Sequence, residues 1–262
     1  MSGNEKTELG HWESAWAARP RLRFPSGIDV GTRNVLRLLK AHVRPGMRYV
    51  EIGCAPGKIL SWVGREVGAP VCGVDYSPTG AETARWLCGG LGIDADIRCE
   101  DATQTSFPAR SFDLVFSCGL IEHFEDPAPM VAAHVELLAP GGVALIAVPN
   151  YSGLYLCLQA WCDPKNLEIH NLRIMNEASM KALAPALPDV VVRSFRYGRF
   201  SPWLISLTAK LGALGKLLSW ALNFVAYLQP IDIASLCPLV VLEVQRKPAA
   251  LAPPADATPG RA

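Results

Sequence analysis

The stretch Y-V-E-I-G-C-A-P-G-K, residues 49–58, decides the fold of this chain. Its apolar first half indicates a buried strand, and a run suited to a helix follows at residues 59–67. Between them lies a Gly-x-x-x-Gly turn. Gly53 lets the chain turn sharply at the end of the strand, and Gly57 is expected to let a ligand approach the backbone. Glu51 places a carboxylate at the carboxyl end of the strand, where ligands of open α/β sheets bind.

The composition is that of a globular protein with one large domain or two small ones. Half of the 262 residues are apolar and the formal net charge is +1, which gives no indication of nucleic-acid binding. The eight cysteines are scattered without a Cys-x-x-Cys pair, so we expect reduced thiols and a cytoplasmic protein. Residues 1–8 are polar, and we expect no secretory signal there.

Acidic residues follow the next two predicted strands. The strand at residues 70–75 ends in Asp75, at a distance from the glycine turn that is typical of an acid binding ribose hydroxyls. The alternative is a turn or helix cap. Tyr76 is expected to stack on an adenine. The strand at residues 95–99 precedes Asp101, which we expect to accept a hydrogen bond from an adenine amino group; a solvated loop acid is the alternative.

The alternation of strands and helices continues to residue 148. A fourth strand at residues 111–118 leads into a Gly-Leu-Ile-Glu-His-Phe segment, a helix reaches about Leu138, and a fifth strand covers residues 143–148. Five repeats with short links predict a parallel, doubly wound sheet covered on both faces. Right-handed crossovers then place the following groups along one edge: Glu51, Asp75, Asp101 and residues 119–123.

These motifs together resemble those of class I S-adenosylmethionine-dependent methyltransferases, closely over about residues 30–150. Residues 50–57 are similar to the family's E-x-G-x-G-x-G turn, with Ala55 in place of the middle glycine. Residues 138–142 are similar to its L-x-P-G-G turn. The resemblance implies a Rossmann-like, mostly parallel seven-stranded sheet and S-adenosyl-L-methionine as the cofactor. The implied cofactor-binding residues are Glu51, Gly53, Cys54, Ala55, Gly57, Asp75, Tyr76, Asp101, Ala102 and Cys118.

Two histidines are the candidate catalytic groups. His123 could remove a proton from an acceptor hydroxyl, since an unperturbed imidazole titrates near neutrality; a residue that only shapes the cofactor pocket is the alternative. His170 is a second candidate base, with a loop-bracing role as its alternative. Quinone and polyphenol O-methyltransferases of similar sequence place a metal at E-x-x-E-H. Gly119 stands where their first acid does, so we expect no metal.

The predicted activity is methyl transfer to a small molecule, most simply to a hydroxyl oxygen of a partly apolar metabolite. N- and C-methyl transfer on the same fold stay open. A nicotinamide-dependent oxidoreductase is a further alternative, although the glycine turn lacks the Gly-x-Gly-x-x-Gly spacing that a pyrophosphate needs. A cofactor-binding partner without catalysis is another. The sequence does not indicate an oligomeric state.

The domain prediction is an amino-terminal arm at residues 1–27, a methyltransferase domain at 28–246 and a disordered tail at 247–262. In the arm, Trp12 and Trp16 share a helix face. Two roles of this helix stay open. It either docks on the domain, or it closes over the active site and offers an arginine to an anionic group. Helical insertions at residues 151–185 and 199–237 are expected to form a lid over the substrate.

The second insertion also invites a membrane interpretation. Residues 202–228 are long enough to span a bilayer, but Lys210 and Lys216 near the middle would each cost about 2.5–3.5 kcal/mol. A single span between two strands of one sheet would also separate those strands, so we predict no transmembrane segment. A lid is favoured, while peripheral lipid contact, extra core and a dimer face remain alternatives.

Overall fold

The computed structural model describes residues 4–249, which form a seven-stranded sheet with helices on both faces. The strands are β1 (Tyr49–Ile52), β2 (Val71–Asp75), β3 (Ala95–Cys99), β4 (Phe112–Cys118), β5 (Leu138–Pro149), β6 (Val190–Tyr197) and β7 (Leu239–Arg246). Their order is β3-β2-β1-β4-β5-β7-β6. Only β7 runs antiparallel to its neighbours, β5 and β6. The predicted doubly wound, mostly parallel sheet is confirmed.

Nine α-helices lie within the described residues. They are α1 (Leu9–Trp16), α2 (Val30–Lys40), α3 (Lys58–Val67), α4 (Pro78–Gly90), α5 (Ala128–Leu137), α6 (Gly153–Cys162), α7 (Pro164–Glu168), α8 (Glu177–Ala182) and α9 (Leu207–Leu228). Apolar side chains of α2, α3 and α4 form one core against the sheet, and those of α5 and α8 form the core on the other face. The sheet is therefore covered on both sides, as parallel strands require.

The fifth strand is longer than predicted. It begins at Leu138, which pairs with Phe112, and a register shift follows between Phe112 and Leu114. A Cβ on Gly142 would lie 2.7 Å from the Phe112 carbonyl oxygen, so this glycine permits the close approach of the two strands. The Pro-Gly-Gly segment is thus an irregular part of β5, where the sequence suggested a separate turn.

The glycines of the turn after β1 adopt positive φ, with 71° at Gly53 and 89° at Gly57. The reason given for Gly57 was wrong. A Cβ at this position would lie 2.9 Å from the Cα of Ala84, so the missing side chain lets α3 pack closely on α4. Gly53 does approach the ligand edge, where a Cβ would lie 3.2 Å from Leu120.

The carboxyl-terminal segment is fixed to the domain further than predicted. The Lys247 amide donates to the Asp189 carbonyl oxygen at 2.7 Å, and Lys247 Nζ donates to the Pro188 carbonyl oxygen at 2.8 Å. The predicted tail at 247–262 is therefore wrong at its first residue. Its remainder from residue 250 lies outside the described residues.

Candidate cofactor and acceptor site

Two adjoining cavities lie at the carboxyl ends of β1 to β4. The larger has a volume of about 510 Å³ and the smaller about 130 Å³. Gly53, Asp75 and Tyr76 line both of them. Asp101 and Ala102 line the larger cavity only, while Ala55 and Cys118 line the smaller only. The parallel sheet thus brings seven of the predicted cofactor residues to one place.

Asp75 is held rigidly between the two cavities. Its side chain is buried, its Oδ2 accepts a hydrogen bond from the Ala55 amide and its Oδ1 accepts one from the Ser77 amide, each at 3.0 Å. Burial raises the pKa of this carboxyl, and the two backbone hydrogen bonds oppose that effect. Each oxygen keeps a lone pair for a further donor, which suits a pair of ribose hydroxyls.

Asp101 has a local role as well as a place at the cavity. Its Oδ1 accepts hydrogen bonds from the Thr103 amide at 2.8 Å and from the Thr103 hydroxyl at 2.7 Å. The carboxylate therefore caps the short 3₁₀ turn that begins at Ala102. Capping fixes the side chain at the wall of the larger cavity, so the cap and the contact with adenine are compatible.

Three predicted cofactor residues lie outside both cavity walls: Glu51, Cys54 and Gly57. The Glu51 carboxyl is buried, with its Oε2 3.4 Å from the Tyr49 hydroxyl, and burial raises its pKa well above the usual range. The expectation that Glu51 presents a carboxylate to the ligand edge therefore does not match its position. The Cys54 thiol is buried in the core below the turn.

The amino-terminal arm closes the smaller cavity. Trp12 and Trp16 of α1 line it, and their rings stack at a centroid distance of 6.0 Å. Glu13 anchors the helix by accepting hydrogen bonds from the hydroxyls of Ser77 and Thr79. The structure thus favours closure over the site, through tryptophans and a glutamate.

The expected arginine does not reach the cavity. Arg19 instead forms an ion pair with Glu82 at 2.9 Å on the exposed surface.

His123 is oriented by two groups from distant segments. Its Nδ1 lies 2.9 Å from the Thr7 hydroxyl and 3.2 Å from the Ile169 carbonyl oxygen. We assign the proton to Nδ1, because a lone pair there would face the lone pairs of the carbonyl oxygen. Nε2 is then the unprotonated nitrogen. Burial, followed by the nearby His170, lowers the pKa of His123 to about 3, so the ring is neutral at physiological pH.

His123 belongs to a cluster with Glu122 and His170. One ligand atom from each residue lies within 4.8 Å of the others. The Nδ1 of His170 faces the Asn166 carbonyl oxygen, which again leaves Nε2 as the acceptor nitrogen. Glu122 is buried, and its Oε2 has no hydrogen-bond partner among the described residues. The donor set of one carboxylate and two imidazoles is chemically suited to a divalent cation; the predicted absence of a metal remains a prediction.

A further cavity of about 390 Å³ adjoins the cofactor cavities, and we call it the acceptor cavity. Cys118, Gly119 and His123 line both this cavity and the smaller cofactor cavity. Half of its remaining wall comes from the two insertions, through Tyr151 and His170 of the first and Ser201, Trp203 and Leu204 of the second. Both insertions thus contribute to this cavity, and their role as a lid stays a prediction.

Residues 50–146 match a family model described as a methyltransferase domain. This range contains β1 to β4 and nearly all of β5, together with the residues that line the cofactor cavities between Gly53 and Met130. Over this range the chain is a class I S-adenosylmethionine-dependent methyltransferase domain. The domain departs from the family's glycine turn at Ala55, whose amide nevertheless donates to Asp75.

Curated proteins similar to this chain include ubiquinone biosynthesis O-methyltransferases. The one from Brucella anthropi is 32% identical over 105 residues, which cover 40% of this chain and 42% of the relative. The one from Parvibaculum lavamentivorans is 30% identical over 145 residues, covering 53% and 57%. The chain thus matches about half the length of these relatives, and the match shows nothing of the remainder.

Among solved structures, the plantazolicin methyltransferase BpumL in complex with S-adenosylhomocysteine is similar in fold. The TM-score is 0.55 at 16% identity, and the match covers 91% of this chain and 97% of BpumL. At this identity the likeness concerns the fold alone. It extends well beyond residues 50–146.

Sequence reasoning missed several residues at the site. Thr7 and Trp203 line it, and Glu13 anchors α1 beside it, all from segments without a recognisable motif. The spacing of Trp12 and Trp16 was the available signal for the arm. For Thr7 and Trp203 there was none, because their contacts depend on how distant segments pack.

Proposed function

We propose that this methyltransferase moves a methyl group from S-adenosyl-L-methionine to a hydroxyl oxygen of a partly apolar small molecule. The observation that carries the proposal is the position of His123, which lines both a cofactor cavity and the acceptor cavity. A group bound in one cavity and a group bound in the other meet at this side chain. The named O-methyltransferase relatives agree with an oxygen acceptor.

The cofactor supplies a methyl group on a sulfonium, which is already activated for an in-line displacement. Asp75 and the backbone around Gly53 hold the nucleoside part in place. Trp12 and Trp16 exclude water from the smaller cavity. The chain's main contribution is thus to position the two reactants, an effect that supplies about 7–11 kcal/mol in well-oriented intramolecular reactions.

His123 takes the acceptor's proton at Nε2. The Ile169 carbonyl oxygen and the Thr7 hydroxyl hold the ring through Nδ1. The unprotonated Nε2 is therefore the nitrogen that is free to take a proton from the substrate. The low pKa keeps this nitrogen unprotonated well below neutral pH. The apolar wall at Trp203 and Leu204 favours an acceptor with an apolar part next to its hydroxyl group.

The test is methyl transfer to a panel of alkyl-substituted phenols and catechols, with matched amines and thiols as competitors. We expect hydroxyl compounds to be methylated, and His123→Gln to reduce kcat by about 10²–10⁴-fold while S-adenosylhomocysteine binding changes little. The acid limb of the kcat/KM profile should lie below pH 6.5, because the pKa of His123 is lowered. Methylation of amines alone would contradict the oxygen assignment, and equal losses of kcat and cofactor affinity would reduce His123 to a pocket residue.

The same assay tests the prediction of a metal-free reaction. We expect EDTA to leave the rate unchanged. A loss that Mg²⁺, Mn²⁺ or Zn²⁺ restores would instead assign the Glu122–His123–His170 cluster to a cation.

We further propose that the enzyme works in a reducing, cytoplasmic environment. All eight cysteines are free in the structure, which supports this placement.

A further inference from the structure

The longest helix, α9, turns its large apolar side chains away from the protein. From Leu214 onward, the residues that face the domain are small or polar, namely Gly215, Ser219, Asn223 and Ala226. The opposite face carries large apolar side chains that are each 56–66% exposed: Leu214, Leu217, Phe224, Val225 and Leu228. A surface helix of a globular protein has the reverse arrangement. No other part of residues 4–249 buries this face.

α9 cannot cross a membrane in this fold. By length and composition it is the one helix among the described residues that could do so. However, β6 before it and β7 after it pair along their whole length in one sheet. Its inner side is also tied to the domain, because Asn223 Oδ1 accepts hydrogen bonds from the Val30 amide at 2.8 Å and from Trp203 Nε1 at 3.1 Å.

We propose that α9 docks this protein on the surface of an anionic lipid bilayer, with the helix lying in the membrane plane. At about 100° per residue, the apolar side chains from Leu218 through Leu228 to Trp220 cover roughly 160° of the helix circumference. The seam of a two-helix coiled coil is narrower, about two positions in seven. A bilayer interface covers a wide arc, and the aromatic and basic residues beside this face favour it over a second copy.

The edge of the apolar face has the residues that a membrane interface favours. Trp220 and Tyr227 are 46% and 44% exposed, and their helical positions place them with Lys216 on one flank, between the apolar face and the domain. Aromatic rings with a polar tip and lysines with long apolar stems prefer the headgroup level.

The charge around the helix is complementary to anionic lipid. No Asp or Glu occurs from residue 190 to 231, while this range carries Lys210, Lys216 and Arg199. Basic residues close to an anionic surface strengthen peripheral binding. Acidic lipid headgroups are therefore the ligands that this stretch selects.

The docking face is continuous with the acceptor cavity. The Trp203 ring contacts the Trp220 ring at a centroid distance of 5.3 Å, and Trp203 also lines that cavity. Trp203 therefore connects the wall of the acceptor cavity with the flank of α9. The docking itself does not depend on methyl transfer, so it can be measured on the full chain without an acceptor.

The test is co-sedimentation with vesicles of phosphatidylglycerol and phosphatidylcholine, compared with vesicles of phosphatidylcholine alone. We expect binding to the anionic vesicles that weakens as salt increases. Leu217→Gln combined with Phe224→Gln should reduce it at least tenfold, because both side chains would leave the lipid. Lys216→Gln should weaken binding to anionic vesicles about fivefold.

The matched control is Leu187→Gln, which changes an exposed leucine before the amino end of β6, whereas α9 follows the carboxyl end of that strand. It should bind vesicles like the wild type, and unchanged S-adenosylhomocysteine affinity should show that each variant is folded. Equal vesicle binding by the wild type and the double variant would overturn the proposal. A second result would also overturn it: the wild type does not bind vesicles but forms a dimer in sedimentation velocity, and the double variant does not form this dimer. That result would assign α9 to contact with a second copy.

Discussion

At the scale of single residues, Asp75 carries most of the expected cofactor recognition. Asp75→Ala should lower the affinity for S-adenosylhomocysteine at least tenfold, because hydrogen bonds to a charged group contribute about 1.5–3 kcal/mol each. Isothermal titration calorimetry measures this. Asp96→Ala is the control, since Asp96 is an exposed acid on β3 that is paired with Arg98. Near-wild-type affinity of Asp75→Ala would refute the ribose assignment.

A second residue, His134, links stability to pH outside the site. It is fully buried, with its Nε2 2.8 Å from the Ser117 hydroxyl, and burial lowers its pKa to about 4. Between that value and about 6.5 the unfolded chain binds a proton that the folded chain does not, so the free energy of unfolding falls as the pH falls through this window.

His134→Gln should remove this dependence, which amounts to at most about 3 kcal/mol. Urea unfolding at pH 4.5 and pH 7 should show a smaller difference for the variant than for the wild type. The variant is expected to be the less stable protein at pH 7, because it loses packing. The same difference between the two pH values in both proteins would contradict the role of His134.

Asp75 and Glu51 show how far the positions of single side chains could be predicted from the sequence. Asp75 was found because it directly follows an apolar run at a defined distance from a glycine turn. Glu51 was misplaced because strand periodicity shows where a residue lies along a strand, and it does not show whether a polar side chain meets a buried partner such as Tyr49.

At the scale of elements, the packing of α3 on α4 depends on Gly57. Gly57→Ala combines a left-handed φ, which costs about 1–2 kcal/mol, with a Cβ only 2.9 Å from the Ala84 Cα. We expect a loss of about 2–4 kcal/mol in the free energy of unfolding. The control is Gly68→Ala, which also has positive φ but no atom within 4 Å of the added Cβ. Equal losses in urea unfolding would show that φ alone matters.

Element boundaries were predictable where local signals exist. Asn is a residue typical of helix amino termini, and the Oδ1 of Asn176 before α8 accepts a hydrogen bond from the Ser179 amide at 2.9 Å. The early start of β5 at Leu138 was not, because it arises from pairing with β4 and not from local propensity. The inward face of α9 was equally hidden, since the sequence shows its apolar character but not which side meets the domain.

At the scale of the whole molecule, the cofactor cavities and the acceptor cavity are lined largely by different parts of the chain. Trp203→Leu should therefore raise KM for the acceptor several-fold by opening its cavity, while S-adenosylhomocysteine affinity stays unchanged. Steady-state kinetics and calorimetry measure the two effects separately. Trp161→Leu, which changes an exposed tryptophan outside the cavity wall, is the matched control. If Trp203→Leu lost cofactor affinity as well, the separation of the cofactor cavities from the acceptor cavity would be contradicted.

The contact between Thr7 and His123 joins positions 116 apart in the chain, and Thr7 also reaches Ile169, 162 positions away. On a ribosome, the arm emerges well before residues 123 and 169. Thr7 can therefore make both contacts only after residue 169 has left the exit tunnel. The orientation of His123 is thus completed when the arm folds back onto segments that are made more than a hundred positions later.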